Sequence, residues 1–349
     1  MDYVAIQSSD KNRHLSDINM VIHEPVILGF EGTAHTAGVA VTQGSRIVIN
    51  KTATYFPEQG GIHPREASEF LAKNFPLLLE QMVKDLPFGI EKIDAVAFSQ
   101  GPGLGPCLRI TATIARAISL FLNKPLIGVN HCIAHVELGR MITPAQDPMV
   151  LYVSGGNTQL ITFLNGRYRI LGETLDIAIG NALDTLGRKL GLPHPGGPYI
   201  EQEAKNGKNI LPLPYAVKGM SFSFSGVVTA AQKLISKHEV KDICLSFQEY
   251  TFAALAEATE RALSCTNKSS VLLTGGVAAN TRLQKMIQDV ASEQAADFFV
   301  VPKNLAGDNG TMIAFAGASM YKGNNFISVH NSHVKPRWRT DQVEVNWIH

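Results

Sequence analysis

His131 and His135 stand four residues apart, so on a helix both imidazoles share one face. That spacing can hold a divalent metal ion. The residues between them are Cys132-Ile133-Ala134, with no Glu after the first His. A zinc peptidase of the His-Glu-x-x-His kind uses that Glu as its general base, so its absence weakens a peptidase reading. The same spacing also suits two capping or core histidines. A metal would need ligands from elsewhere. Asp308, in Ala-Gly-Asp-Asn-Gly, is a natural third, and Tyr152, at the end of an apolar run, offers a fourth.

Three glycine turns each follow an apolar run: Glu31–Thr36, Ser154–Thr158 and Gly275–Gly276. A phosphate needs several backbone N–H donors converging and no Cβ in the way, and such turns supply both. Any one of them could equally be a tight hairpin; three together favour a bound nucleotide. None is followed by Gly-Lys-Ser/Thr, which argues against P-loop chemistry. Asn280 is expected about one turn into the helix after Gly275–Gly276, with that helix's N-terminus facing the ligand. Asp184 and Glu201 fit ribose recognition or ordinary solvated helix charge, and their spacing does not decide between the two.

These groups need a scaffold, and the hydrophobic pattern supplies one twice. The first half reads as strands from Val26, Ala37 and Arg46, a helix over Pro64–Leu86, a strand over Ile93–Phe98, a helix over Cys107–Leu122, a strand over Leu126–Val129 and a helix over His131–Met141. The second half reopens with strands over Met149–Val153, Gln159–Phe163 and Tyr168–Leu171, the last two joined by the hairpin dipeptide Asn165-Gly166. Helices are expected over Ala178–Leu190, Pro198–Asn206, Gly226–Ser236, Asp242–Cys265, Ala278–Ser292 and Gly310–Met320, with strands at Ser270–Leu273 and Phe298–Val301.

The pattern predicts an α/β protein of the actin-like ATPase (ASKHA) fold: two RNase H-like α/β domains with a ligand cleft between them. The expected divisions are a flexible tail over 1–25, an N-terminal domain over 26–148, a C-terminal domain over 149–309 and a C-terminal tail over 323–349. The helix at 310–322 is expected to pack back on the N-terminal domain.

Composition sets outer limits. The chain has 349 residues, 45% hydrophobic and 17% charged, enough apolar material for two packed cores. Net charge is +1, so nucleic acid would have to be met by a local patch or by a partner's charge. Four scattered cysteines suit a reducing compartment. No apolar run reads as membrane-spanning and no secretory leader is seen, so the expected location is cytoplasmic, or nuclear in a eukaryote.

The segments GFEGTAHTAGVAV, GGIHPREA, SQGPGLGPCLRI, GVNHCIAHVELGR, LYVSGGNTQL, GNALDTLGRKLGL, FSFSGV, TGGVAANTRL and GDNGTMIAFAG occur in this order. Together they resemble the tRNA threonylcarbamoyladenosine synthases: the bacterial TsaD proteins and the archaeal and eukaryotic catalytic subunit of the KEOPS complex. The resemblance covers roughly residues 26 to 322. Its first hairpin is similar to the archaeal and eukaryotic branch; the bacterial branch typically has Cys-Asp there.

The resemblance implies transfer of a threonylcarbamoyl group from threonylcarbamoyl-AMP to N6 of the adenosine beside the anticodon, in tRNAs reading codons that begin with A. It implies one divalent ion, iron or zinc, on His131, His135, Tyr152 and Asp308. It implies an adenylate held by Val153, Ser154, Gly155, Gly156, Asn157, Asp184, Gly197, Glu201, Gly275, Gly276 and Asn280. Its implied partners are tRNA and KEOPS-type subunits, including a small kinase-like ATPase and a dimerising small subunit. The donor is already activated, so no protein nucleophile is required; no general base is assigned, and His35 is the lone candidate. Archaeal members commonly carry Glu-His-His after GGIHPREA, where this chain has Glu69-Phe70-Leu71. The chain is expected to lack the fused kinase domain of some archaeal relatives. Lys335–Arg339 could contact phosphate, but a solvated terminus is expected.

Overall fold

Two five-stranded sheets share one strand order. A computed structural model describes residues 24–57 and 61–348. The expected tail over 1–25 lies outside the described residues except for its last two positions.

In the first half, β1 (Val26–Glu31), β2 (Thr36–Gln43) and β3 (Arg46–Thr54) form an antiparallel meander. Then come α1 (Pro64–Asp85), β4 (Ala95–Gly101), α2 (Gly105–Leu122), β5 (Leu126–Asn130) and α3 (His131–Ile142). The sheet order is β3-β2-β1-β4-β5, with β1, β4 and β5 parallel. All residues of β1, β4 and β5 are buried, as the near-continuous apolar runs require of strands covered on both faces.

The second half runs β6 (Met149–Val153), β7 (Thr158–Leu164), β8 (Arg167–Glu173), α4 (Ile179–Lys189), α5 (Gly196–Ala204), β9 (Val217–Lys218), β10 (Ser221–Phe222), α6 (Ser225–Gln232), α7 (Val240–Thr266), β11 (Ser270–Thr274), α8 (Thr281–Glu293), β12 (Asp297–Val300), α9 (Lys303–Ala306) and α10 (Gly310–Lys322). Its sheet, β12-β11-β6-β7-β8, repeats the first order read from the opposite edge: a three-strand meander whose first strand pairs in parallel with the fourth strand, which in turn pairs in parallel with the fifth. Asn165 and Gly166 adopt φ of 52° and 73°, the left-handed pair that a two-residue hairpin turn needs.

The helix after the third glycine turn, Gly275–Gly276, differs from expectation. A single 3₁₀ turn spans Gly276–Ala279, and α8 begins only at Thr281. The cause is Asn280: its side-chain oxygen accepts from the N–H groups of Arg282 and Leu283 and so fixes the helix start. The short strands β9 and β10 and helix α9 lack enough residues for a periodic signal.

The membrane expectation also needs correction. By length and composition α2 could cross a membrane, with 18 residues and a mean hydropathy of 1.2. In the fold it buries Cys107, Leu108, Thr111, Ala112, Ala115 and Ser119, and it carries Arg116, which donates to the Ser332 hydroxyl and carbonyl.

Helix α10 packs on the first sheet at backbone contact distance. A Cβ on Gly310 would lie 2.6 Å from the Ala40 nitrogen, and one on Gly29 would lie 2.6 Å from the Gly310 oxygen. One core cluster joins α3 and α10 with Ile27, Ala95 and Ile127 of the first sheet and Val150, Tyr152 and Leu272 of the second. The Lys335–Arg339 segment is exposed apart from a half-buried Trp338, as expected, and it is also pinned. The Lys335 N–H donates to the Gln100 carbonyl, Asn130 donates to the Trp338 carbonyl, and Arg339 pairs with Glu173 of β8.

Candidate functional site

The site grows from strand ends. β5 ends at Asn130, whose side-chain oxygen accepts from the N–H groups of Cys132 and Ile133 and caps α3. The first residue of α3 is therefore His131, held at a fixed helix start, and His135 follows one turn later. Asp308 enters from the loop before α10. Its neighbour Asn309 caps that helix by accepting from the Met312 N–H, and ties the loop by donating to the Leu305 and Gly307 carbonyls. Tyr152 comes from β6 of the other half.

The structure brings these four together. Asp308 Oδ1 lies 3.2 Å from His135 Nε2 and 3.5 Å from His131 Nε2. The three ligand atoms all fall within 4.8 Å of one another. Ligands bound about 2.1 Å from a tetrahedral ion sit roughly 3.4 Å apart, so these separations match a metal site. The Tyr152 ring is tilted by 31° to that of His135 with centroids 4.9 Å apart, and its fully buried hydroxyl makes no hydrogen bond of normal geometry. A buried hydroxyl without a partner is costly, and a cation at the centre of the cluster would supply one. The donor set therefore fits a divalent metal ion.

Electrostatics support the same arrangement. Burial alone would lower the His131 pKa, but the Glu31 and Asp308 carboxylates outweigh it and hold the metal-free imidazole at about 9. Burial keeps His135 low, with His131 adding repulsion, so His135 is a neutral imidazole ready to ligate. Burial would raise Asp308, yet the two histidines hold it well below the usual carboxylate range. Burial pushes the Tyr152 phenol well above its ordinary value, with Cys132 and Asp308 adding to it.

The second glycine turn adjoins this cluster through Tyr152 and Val153. Ser154 closes it: its N–H donates to the Asn157 carbonyl, and its hydroxyl accepts from the Asn157 N–H. Gly155 and Gly156 are exposed, and a Cβ on either would meet nothing, which leaves an open cradle. The N-terminal end of α4 abuts the cradle, with the Gly180 N–H donating to the Ser154 carbonyl. Gly275 crosses the end of β6 at φ 95°, where a Cβ would lie 2.3 Å from the Val153 oxygen. Asp184 accepts from the Gly196 N–H through Oδ1, with His194 Nδ1 at 3.8 Å from Oδ2. Gly197 follows in the first turn of α5, packed towards Leu183. Glu201 accepts from the Thr281 N–H and hydroxyl through Oε1, tying α5 to α8.

Two expectations change here. Asn280 is not one turn into a helix with its amide free. It is the cap of α8, and its amide nitrogen donates to Gln248. The first turn is no anion cradle either: Glu31 Oε1 takes both the N–H and the hydroxyl of Thr33, and a buried carboxylate there repels phosphate. Sequence reasoning named that turn but overlooked Glu31 itself. An acid at the last position of a fully buried strand was the available signal. His35 follows in the same turn, with its Nδ1 buried and unpartnered.

Comparison with known proteins gives the family. Residues 45–315 match the family model described as TsaD, tRNA N6-adenosine threonylcarbamoyltransferase. A protein of Methanocaldococcus jannaschii named "probable bifunctional tRNA threonylcarbamoyladenosine biosynthesis protein" is 53% identical over 93% of this chain and 60% of its own length. A Methanosarcina acetivorans protein of the same name is 53% identical over 92% of this chain and 59% of its own. The chain thus spans about 60% of the length of these relatives. Among solved structures, HypF of T. kodakarensis aligns with a TM-score of 0.61 at 17% identity, over 86% of this chain and 48% of that one. The activator of 2-hydroxyisocaproyl-CoA dehydratase from Clostridium difficile aligns at 0.52 and 14% identity, over 87% and 99%. At such identities the likeness speaks for the fold alone, which is the actin-like α/β fold with its repeated sheet.

Proposed function

The chain belongs to the TsaD, or tRNA N6-adenosine threonylcarbamoyltransferase, family, and from that premise we propose that it transfers threonylcarbamoyl from threonylcarbamoyl-AMP to N6 of the adenosine beside the anticodon. The substrates are tRNAs reading codons that begin with A, and AMP is released. The observation that carries this reading is the His131–His135–Asp308 cluster, with the unpartnered Tyr152 hydroxyl beside the open Gly155–Gly156 turn.

The donor is a mixed anhydride. Attack of the adenosine N6 on the carbamoyl carbonyl breaks the bond to the phosphate oxygen, and the N6 proton leaves with AMP or solvent. His131, His135, Asp308 and Tyr152 would hold an iron or zinc ion, which when bound would supply Lewis-acid stabilisation of charge on that carbonyl. The Gly155 and Gly156 amides hold the adenylate phosphate. Asp184 and Glu201 each have one oxygen committed to the protein frame, and each turns the other to the ribose hydroxyls. Holding both substrates in line provides much of the remaining rate.

A net charge of +1 supports a further part of the proposal, that partner subunits of the KEOPS kind, a small kinase-like ATPase and a dimerising small subunit among them, supply some of the tRNA surface. A cytoplasmic location belongs to the same reading. The test combines the purified chain with those partners, an adenylate-forming enzyme, tRNA, threonine, bicarbonate and ATP, followed by nucleoside analysis of the tRNA. Threonylcarbamoyladenosine is the expected product, and unmodified tRNA would refute the proposal.

A further inference from the structure

Glu31 closes β1 and is fully buried. Its two oxygens have separate tasks. Oε1 accepts from the Thr33 N–H at 2.8 Å and the Thr33 hydroxyl at 2.7 Å. Oε2 lies 3.1 Å from Nδ1 of His131, a residue 100 positions later in the chain. The other ring nitrogen of His131, Nε2, faces Asp308 and the candidate ion.

The mount of this carboxylate is rigid. The Gly32 N–H donates to the Ser99 hydroxyl of β4, and the Gly32 carbonyl accepts from the Thr111 hydroxyl of α2. The Leu104 N–H donates to the Thr33 carbonyl. The hairpin turn is thereby clamped from β4, α2 and the loop between them, so the carboxylate has little freedom to follow a wandering imidazole.

Resting on the metal reading above, we propose that Glu31 is a positioning residue of the metal centre: it accepts the Nδ1–H of His131 and so fixes the tautomer and ring plane that present Nε2 to a divalent cation. A carboxylate behind a ligating histidine raises the basicity of the ligand and removes rotamers that would otherwise compete. The two halves have thus put equivalent hairpins to different use. The second keeps its glycines open towards a ligand, whereas the first has turned an acid inward to support a ligand of the metal.

The test uses the full chain stripped of metal and titrated with Co²⁺ against a chromophoric chelator, with the visible d–d absorption of bound cobalt recorded. Glu31→Ala is expected to weaken Co²⁺ binding roughly ten- to a hundredfold and to change the d–d band. Glu31→Gln keeps an acceptor oxygen and should recover part of the affinity with a band closer to that of the parent chain. It also serves as the readout should the Ala variant fail to fold. Thermal midpoints of the stripped chains separate loss of fold from loss of ligation. Wild-type affinity and an unchanged band in both variants would overturn the role of Glu31 while leaving the metal site standing. A parent chain that takes up no cobalt would overturn the metal reading and this inference together.

Discussion

At the scale of single residues, the chemistry divides by how far apart its parts lie in the chain. His131 and His135 are legible because one helical turn joins them. Asp308 is legible because it is an acid in a glycine loop where its neighbour Asn309 stands ready to cap the helix. Glu31 is not, since its meaning depends on a contact across 100 positions. Asn280 shows an error of position: an Asn directly before Thr-Arg-Leu is an N-cap signature, and it stands at the start of its helix rather than one turn inside it. The Phe70-Leu71 pair, where the resemblance leads one to expect two histidines, is committed to packing. Phe70 meets Tyr55 at 5.8 Å, and Leu71 is fully buried under Gly32. Tyr152 allows a sharp test. In metal-free protein its buried hydroxyl is unsatisfied, so Tyr152→Phe should leave stability unchanged or raise it by about 1 kcal/mol, while metal affinity falls. Denaturant unfolding of stripped and metal-loaded chains checks both halves. A clear loss of stability in the stripped variant would show that the hydroxyl has a protein partner.

At the scale of elements, helix and strand order was readable because the central strands of both sheets are fully buried apolar runs, whereas two-residue strands carry no period. The close approach of α10 was not readable, because it depends on which glycines face each other. Gly310→Ala places a Cβ 2.6 Å from the Ala40 backbone nitrogen. It is expected to cost about 1–3 kcal/mol by overpacking and to loosen Asp308, two residues before it, so metal content should fall along with the thermal midpoint. Unchanged values of both would contradict the packing argument. Asp176 ties the segment after β8 to the start of α6. Partial burial opposes its charge, but the Ser223 hydroxyl and the N–H groups of Ile177, Phe224 and Ser225 prevail and hold its pKa at about 2. A depressed carboxylate stabilises the fold above its unfolded pKa of 3.8, and that contribution is lost as pH falls towards 2. Asp176→Asn should therefore be less stable than the parent at neutral pH, with the gap closing between about 4 and 2. A gap constant across that window, followed by fluorescence-detected unfolding, would remove this role.

At the scale of the whole molecule, the repeated sheet order explains where the chemistry sits. His131 follows β5, Tyr152 lies near the end of β6, Glu31 ends β1 and Gly275 follows β11, so the site forms where the parallel strands of both halves terminate, as open α/β sheets favour. The segment after α10 reinforces that junction. Trp347 donates to the buried Glu137 of α3, which also accepts from Tyr168 of β8, and Thr340 donates to Gln159 of β7. Residues of the C-terminal tail thus hold both the metal-bearing helix and the second sheet. The most direct test of the account is the amount of threonylcarbamoyladenosine formed per tRNA in the reconstituted reaction, with parent chain and Asp308→Ala compared at equal folded concentration. Near-complete modification is expected of the parent, and a loss of at least a hundredfold, about 2.7 kcal/mol of transition-state stabilisation, in the variant. Equal modification by the two chains, or none by the parent in the presence of its partners, would contradict it.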